Sequence, residues 1–163
     1  MRDQQPPKSR AREWIGALGL AASLIVVLGV TLSPTPLDQG YASSIDRLLS
    51  VLHRNGIPEW YGYNKLEFTT NIVMFMPLGF IFALMLSHKM WWLALLICPA
   101  LSICIELTQA AVLTSRFATV SDVLANSLGA LVGILMAVAL RAAVYQRDQK
   151  VVARALWQEL RVR

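Results

Sequence analysis

Five amide and carboxyl side chains lie within apolar stretches of this sequence, where a polar group is costly. One stands alone and the others form two pairs spaced three and four residues apart: Asn71, Glu106 with Gln109, and Asp122 with Asn126. These spacings put both members of a pair on one face of a helix. Amide and carboxyl groups inside a membrane-spanning segment indicate a binding, catalytic or transport site.

Glu106 and Asp122 are the two carboxylates of this set, and a pair of carboxylates can act as general acid and base. They are therefore the candidate catalytic residues. Asp122, or Ser121 before it, is alternatively well placed to cap a helix N-terminus. The three amides alternatively join helices by hydrogen bonds. There is no paired-His or Cys/His spacing, phosphate loop or nucleophile elbow, so neither a metal nor a cofactor is predicted.

The elements that carry these residues are long apolar runs. The chain has 163 residues, of which 56% are hydrophobic and only 15% charged. A bilayer core about 30 Å thick needs roughly 20 apolar residues per helix, and four runs meet this length: 14–33, 68–86, 90–113 and 120–140. The sequence thus predicts an all-α, polytopic membrane protein with four transmembrane helices, and residues 68–140 form a core of helices two to four joined by tight turns.

Lys and Arg residues predict the orientation of these helices. They concentrate in the N-terminal tail 1–13, at Lys89 in the second turn and in the C-terminal tail 141–163, which places both termini in the cytoplasm. Only four fall on the opposite side: Arg47, Arg54, Lys65 and Arg116. Because the basic residues lie in tails rather than along a soluble fold, nucleic acid is not an expected partner.

The predicted orientation brings the polar residues to one depth. Helix three begins inside at Met90, so Glu106 lies about 24 Å along it, near the outer leaflet. Helices two and four begin outside, which places their polar residues within the first two turns. Arg116 lies in the outer turn at the same level. The predicted ligand-binding residues are Asn71, Glu106, Gln109, Arg116, Asp122 and Asn126.

The rest of the chain adds two predictions. The extracytoplasmic segment 34–67 contains a short amphipathic helix that starts behind Ser43 and Ser44 and ends at Gly56 and Pro58. Four residues of the core are predicted to serve helix packing or bending: Pro77, Gly79, Gly129 and Gly133. The G-x-x-x-G spacing of Gly129 and Gly133 also permits a homo-oligomer.

Residues 65–140 resemble the VanZ-like family. The resemblance is carried by an N-x-x-x-F-x-P-x-G segment from Asn71 to Gly79, an E-x-x-Q pair at Glu106, Arg116, and a D-x-x-x-N-x-x-G segment from Asp122. It implies a multi-pass protein of the bacterial cytoplasmic membrane that serves the cell envelope. It also implies a link to antibiotic resistance, because the founding member is associated with low-level resistance to teicoplanin, which binds cell-wall precursors.

Three function classes remain open from the residues. The leading interpretation is a protein that is not an enzyme and that binds a lipid-linked wall or polysaccharide precursor, with membrane lipid as its other partner. The second is a membrane-embedded enzyme that uses Glu106 and Asp122 as acid and base on a lipid-linked substrate. The third is a small proton-coupled transporter, which four helices could form only as an oligomer.

Overall fold

The computed structural model describes residues 10–31, 37–112 and 119–162. The described residues fold into five α-helices, the fourth preceded by a short 3-10 helix at Trp91–Leu93: α1 Arg10–Thr31, α2 Leu37–Arg54, α3 Tyr63–Met85, α4 Ala94–Val112 and α5 Val120–Val162. All except α2 are long and apolar enough to cross a membrane, α4 together with its 3-10 turn. The predicted all-α class with four transmembrane helices is confirmed, and the cytoplasmic placement of the termini stays a prediction.

Helices α3 and α5 form the centre of the bundle because three glycines let their backbones touch. A Cβ atom on Gly129 would overlap the carbonyl of Ile72, and one on Gly133 would overlap that of Met76. From the other side, a Cβ on Gly79 would overlap the carbonyl of Ala130. Small residues at such spacing permit this close approach in membranes, where packing rather than burial from water holds helices together.

Apolar side chains fill the bundle and also cover its outside. One buried cluster joins α1, α3 and α4 through Val27, Phe75, Leu78 and Ile105. The outward faces remain apolar: Val73, Leu96, Leu107 and Leu135 are each more than half exposed. Apolar residues on both sides of a helix suit a chain whose surrounding solvent is hydrocarbon.

The amphipathic helix α2 differs at its start from the sequence expectation. It begins at Leu37, so Ser43 and Ser44 lie inside the helix and do not cap it. Its end follows the sequence: Gly56 has a positive φ of 95°. The N–H of Gly56 donates to His53 O and that of Ile57 to Leu52 O, both at 3.1 Å, which is a Schellman motif.

Helix α5 continues without a break beyond the apolar run that ends at Leu140. It has 43 residues, which corresponds to a length of about 64 Å, roughly twice the thickness of the hydrocarbon core. The helix is therefore longer than a single crossing of the membrane requires.

Candidate functional site

The N-terminus of α5 organises the polar residues at one end of the bundle. Thr119 precedes the helix, and its Oγ1 accepts a hydrogen bond from the N–H of Asp122 at 3.1 Å. The Thr119 hydroxyl also donates to Asp122 Oδ2 at 2.7 Å. Asn71 Nδ2 of α3 donates to the other oxygen, Asp122 Oδ1, at 3.0 Å. The Asp122 carboxylate thus supports the first turn of its own helix and binds α3 to it.

Glu106 of α4 reaches the same helix start from the other side. Its Oε2 accepts from the backbone N–H of Thr119 at 3.2 Å, and the residue is only 6% exposed. In a capping box this N–H is usually satisfied by the residue three positions later in the helix. Here a carboxylate from a neighbouring helix takes that place, so both carboxylates converge on Thr119.

Asn126 and Ser102 form a second polar level one turn deeper, about 6 Å further into the bundle. Asn126 Nδ2 of α5 donates to Ser102 Oγ of α4 at 2.9 Å. Both residues are buried, Asn126 at 2% exposure. Among the residues that the structure describes, Asn126 Oδ1 is buried and has no hydrogen-bond partner. Such a group is costly in a folded protein, so it marks a place where a further donor can bind.

Gln109 points toward a different helix. Its Nε2 donates to the carbonyl of Thr31 at 2.6 Å, and Thr31 is the last residue of α1. A carbonyl at a helix C-terminus has no partner within the helix, so Gln109 satisfies it and joins α4 to α1. Gln109 is therefore placed at the edge of the site, with an evident structural function.

The structure brings together four of the six predicted ligand-binding residues: Asn71, Glu106, Asp122 and Asn126. We call these four residues, together with Ser102 and Thr119, the polar layer. Arg116 lies outside the described residues. Within the described residues, no three His, Cys, Asp or Glu side chains come together in a way that could hold a metal ion.

Thr119 is the site residue that the sequence interpretation missed. The pattern that could have identified it is T-x-x-D before an apolar run, a variant of the capping box. The sequence interpretation named Ser121 and Asp122 as possible caps, two and three residues after Thr119, although its fourth apolar run begins at residue 120, where α5 also begins.

The bond between Ser102 and Asn126 gives a first prediction. We expect Ser102→Ala to lower the free energy of unfolding in detergent by about 1 kcal/mol, because it leaves the Asn126 amide without its hydroxyl. Thr108→Val on the same helix is the matched control, since that exposed hydroxyl bonds only Cys104 O within α4. If the two variants unfold at the same temperature, the hydrogen bond between Ser102 and Asn126 does not stabilise the protein.

Comparison with known families gives a match that covers the site. A family model described as VanZ/LLP1 matches residues 20–141, a stretch that contains the whole polar layer. Searches of curated proteins and of solved structures give no match.

Proposed function

This chain belongs to the VanZ/LLP1 family, and we propose that it is a protein of the bacterial inner membrane whose polar layer binds a lipid-linked wall or polysaccharide precursor. The binding would influence susceptibility to glycopeptides such as teicoplanin, whose targets are precursors of this kind. The multi-pass character rests on the four membrane-length helices, and the cellular location rests on the family resemblance.

The proposed orientation places the polar layer at the outer leaflet. Lys89, Arg141 and Arg147 lie at the opposite end of the bundle from Thr119. An excess of Lys and Arg on the cytoplasmic side is the usual arrangement in inner-membrane proteins. The sugar and peptide groups of a lipid-linked precursor lie beside the outer leaflet when it has been moved across the membrane.

The observation that carries the proposal is the buried, unpartnered Oδ1 of Asn126. It lies one turn below Asp122 and shares α5 with it, while Glu106 supplies a further buried carboxylate on α4. The layer is therefore rich in hydrogen-bond acceptors. Sugar hydroxyls and peptide N–H groups are donors, and they suit such a layer. Arg116, three residues before Thr119 in the sequence, is the proposed partner of a phosphate or carboxylate.

The experiment measures precursor binding by the full-length chain in nanodiscs. The probe is an undecaprenyl-diphosphate-linked disaccharide pentapeptide, detected by native mass spectrometry. We expect Glu106→Gln and Asn126→Leu each to weaken binding by about tenfold, which corresponds to one charged or buried hydrogen bond. Thr108→Val is expected to bind like the wild type because its side chain is exposed outside the layer.

Two outcomes would count against the proposal. One is a wild-type chain that retains the precursor no better than undecaprenyl phosphate alone. The other concerns a strain from which the gene has been deleted. If the Glu106→Gln variant restores the wild-type envelope and the wild-type teicoplanin susceptibility of that strain in full, Glu106 is not needed for the function. Chemical conversion of the precursor by the wild type but not by Glu106→Gln would instead assign acid and base functions to the two carboxylates.

A further inference from the structure

A cavity of about 800 Å³ opens at the opposite end of the bundle from the polar layer. It lies between α1 and α3 and reaches α5 at Arg141. Its volume falls within the range of small-molecule sites in proteins. None of the residues of the polar layer lines it, so it is a separate feature of the molecule.

The deep part of the cavity is apolar, and glycines of α1 form part of its wall. Gly16 and Gly19 face Met85 and Ile81 of α3: a Cβ on Gly16 would lie 3.2 Å from Met85 Cγ, and one on Gly19 would lie 3.3 Å from Ile81 Cδ1. At these two positions α1 therefore approaches the side chains of α3 closely, and a larger residue there would push into the cavity wall. Phe80 adds an aromatic ring to the same wall.

The mouth of the cavity is polar and is centred on a cation. Arg141 Nη2 donates to the carbonyls of Leu84 and Leu86 at 2.7 and 2.6 Å. These bonds hold the guanidinium at the C-terminal end of α3, where carbonyls have no partner within the helix. His88 and Glu13 also line the cavity, so an acidic residue shares its lining with the cation.

The polarity of the cavity changes along the membrane normal. Glu13, where the membrane-length part of α1 begins, lies at the mouth, and Gly19 lies about 9 Å further along the helix. A cation at the membrane boundary above an apolar groove matches an anionic phospholipid, whose charged head group and acyl chain have the same order. Basic pockets between transmembrane helices bind anionic head groups in this way.

We propose that this cavity binds one anionic phospholipid, with its phosphate at Arg141 and an acyl chain between α1 and α3. The lipid comes from the leaflet at this end of the bundle, which is the inner leaflet in the orientation proposed above. This site is independent of precursor binding at the polar layer and goes beyond that function.

The test is a lipid titration of the purified full-length chain in detergent, followed by native mass spectrometry. Dioleoyl phosphatidylglycerol and dioleoyl phosphatidylcholine are the two probes, because they differ in head-group charge and share their acyl chains. We expect the first bound phosphatidylglycerol to be held about fivefold more tightly than phosphatidylcholine. Equal affinity for the two lipids would overturn the proposal.

Variants of α1 separate the groove from the mouth. Gly19→Leu fills the groove and should weaken both lipids. Gly29→Leu on the same helix is the matched control, since no atom lies within 4 Å of a Cβ there, and it should leave both affinities unchanged. Unaltered lipid binding in Gly19→Leu would exclude the groove. If the wild type forms a dimer and Gly19→Leu loses the dimer while it still binds lipid, the groove binds a second copy of the chain and not a lipid.

Charge variants test the mouth. Arg141→Gln should abolish the preference for phosphatidylglycerol. Because this variant also loses a bond to the end of α3, Glu13→Gln provides a second measurement that leaves Arg141 intact. It removes a nearby negative charge and should raise the preference by about twofold, a modest effect because Glu13 is exposed and screened. A preference that stays the same in both variants would overturn the assignment of Arg141.

Discussion

Gly133→Ala is expected to destabilise the protein by about 3 kcal/mol or more, the upper range for an overpacked core. The new methyl group would overlap the carbonyl of Met76 and lie within 2.8 Å of the N atom of Phe80. Both are backbone atoms of α3, so no side-chain rotation can make room. The two helices must move apart, which loses the contact that centres the bundle. Thermal unfolding in detergent and the amount of protein in the membrane fraction measure this loss.

Two other glycines provide graded controls. Gly16→Ala meets only the flexible Met85 side chain, so a small change is expected. Gly29→Ala meets nothing within 4 Å and is expected to be neutral or to stabilise by up to about 1 kcal/mol, because alanine favours helix. If Gly133→Ala and Gly29→Ala unfold at the same temperature, the backbone contact between α3 and α5 does not hold the bundle together.

Asp122→Ala is expected to lower the free energy of unfolding by about 2 kcal/mol. The substitution removes the acceptor for Asn71 Nδ2 and for the Thr119 hydroxyl, together with a negative charge in the first turn of α5. Asp122→Asn should cost less, because it keeps an oxygen acceptor and loses only the charge. Thermal unfolding measures the total, and hydrogen exchange of the first turn of α5 locates it.

Asp148→Ala is the matched control for this prediction. Asp148 lies on the same helix beyond the membrane-embedded part and is exposed, so its removal should change stability by less than about 0.5 kcal/mol. Equal unfolding of Asp122→Ala and Asp148→Ala would mean that Asp122 has no stabilising function and is held at the site for its chemistry alone.

The transmembrane architecture was predictable because lipid imposes a simple rule on composition. Each span needs a long apolar run, and four such runs are visible in the sequence. Hydropathy does not report where a helix ends in water. Helix α5 continues past Arg141 because the tail is rich in Ala, Arg, Gln and Leu, which favour a helix whether or not it lies in lipid. Likewise α3 begins at Tyr63, five residues before the apolar run at Phe68.

The proximity of several polar residues was predictable from the sequence, whereas the hydrogen bonds that they make were not. Helical spacing and depth indicated that Asn71, Glu106 and Asp122 lie near one another. Neither spacing nor depth shows that Glu106 accepts from the Thr119 backbone, because that contact depends on how α4 and α5 pack. The same limit applies to Gln109, whose partner Thr31 is 78 positions away in the sequence.

The cavity at Arg141 was not foreseen, since the basic C-terminal tail was interpreted as a topology signal. A residue at the boundary of a span satisfies the positive-inside rule whether or not it binds anything. Only the packing of α1, α3 and α5 distinguishes Arg141, whose guanidinium closes the end of α3, from the arginines that follow it along the tail.

The uninterrupted course of α5 has a mechanical consequence. Residues 120–162 contain no proline, a common cause of sharp kinks, and form one continuous helix. Asp122 and Arg141 are separated along it by about 28 Å, close to the thickness of a hydrocarbon core. A change of tilt at one end of this continuous helix therefore moves its other end as well.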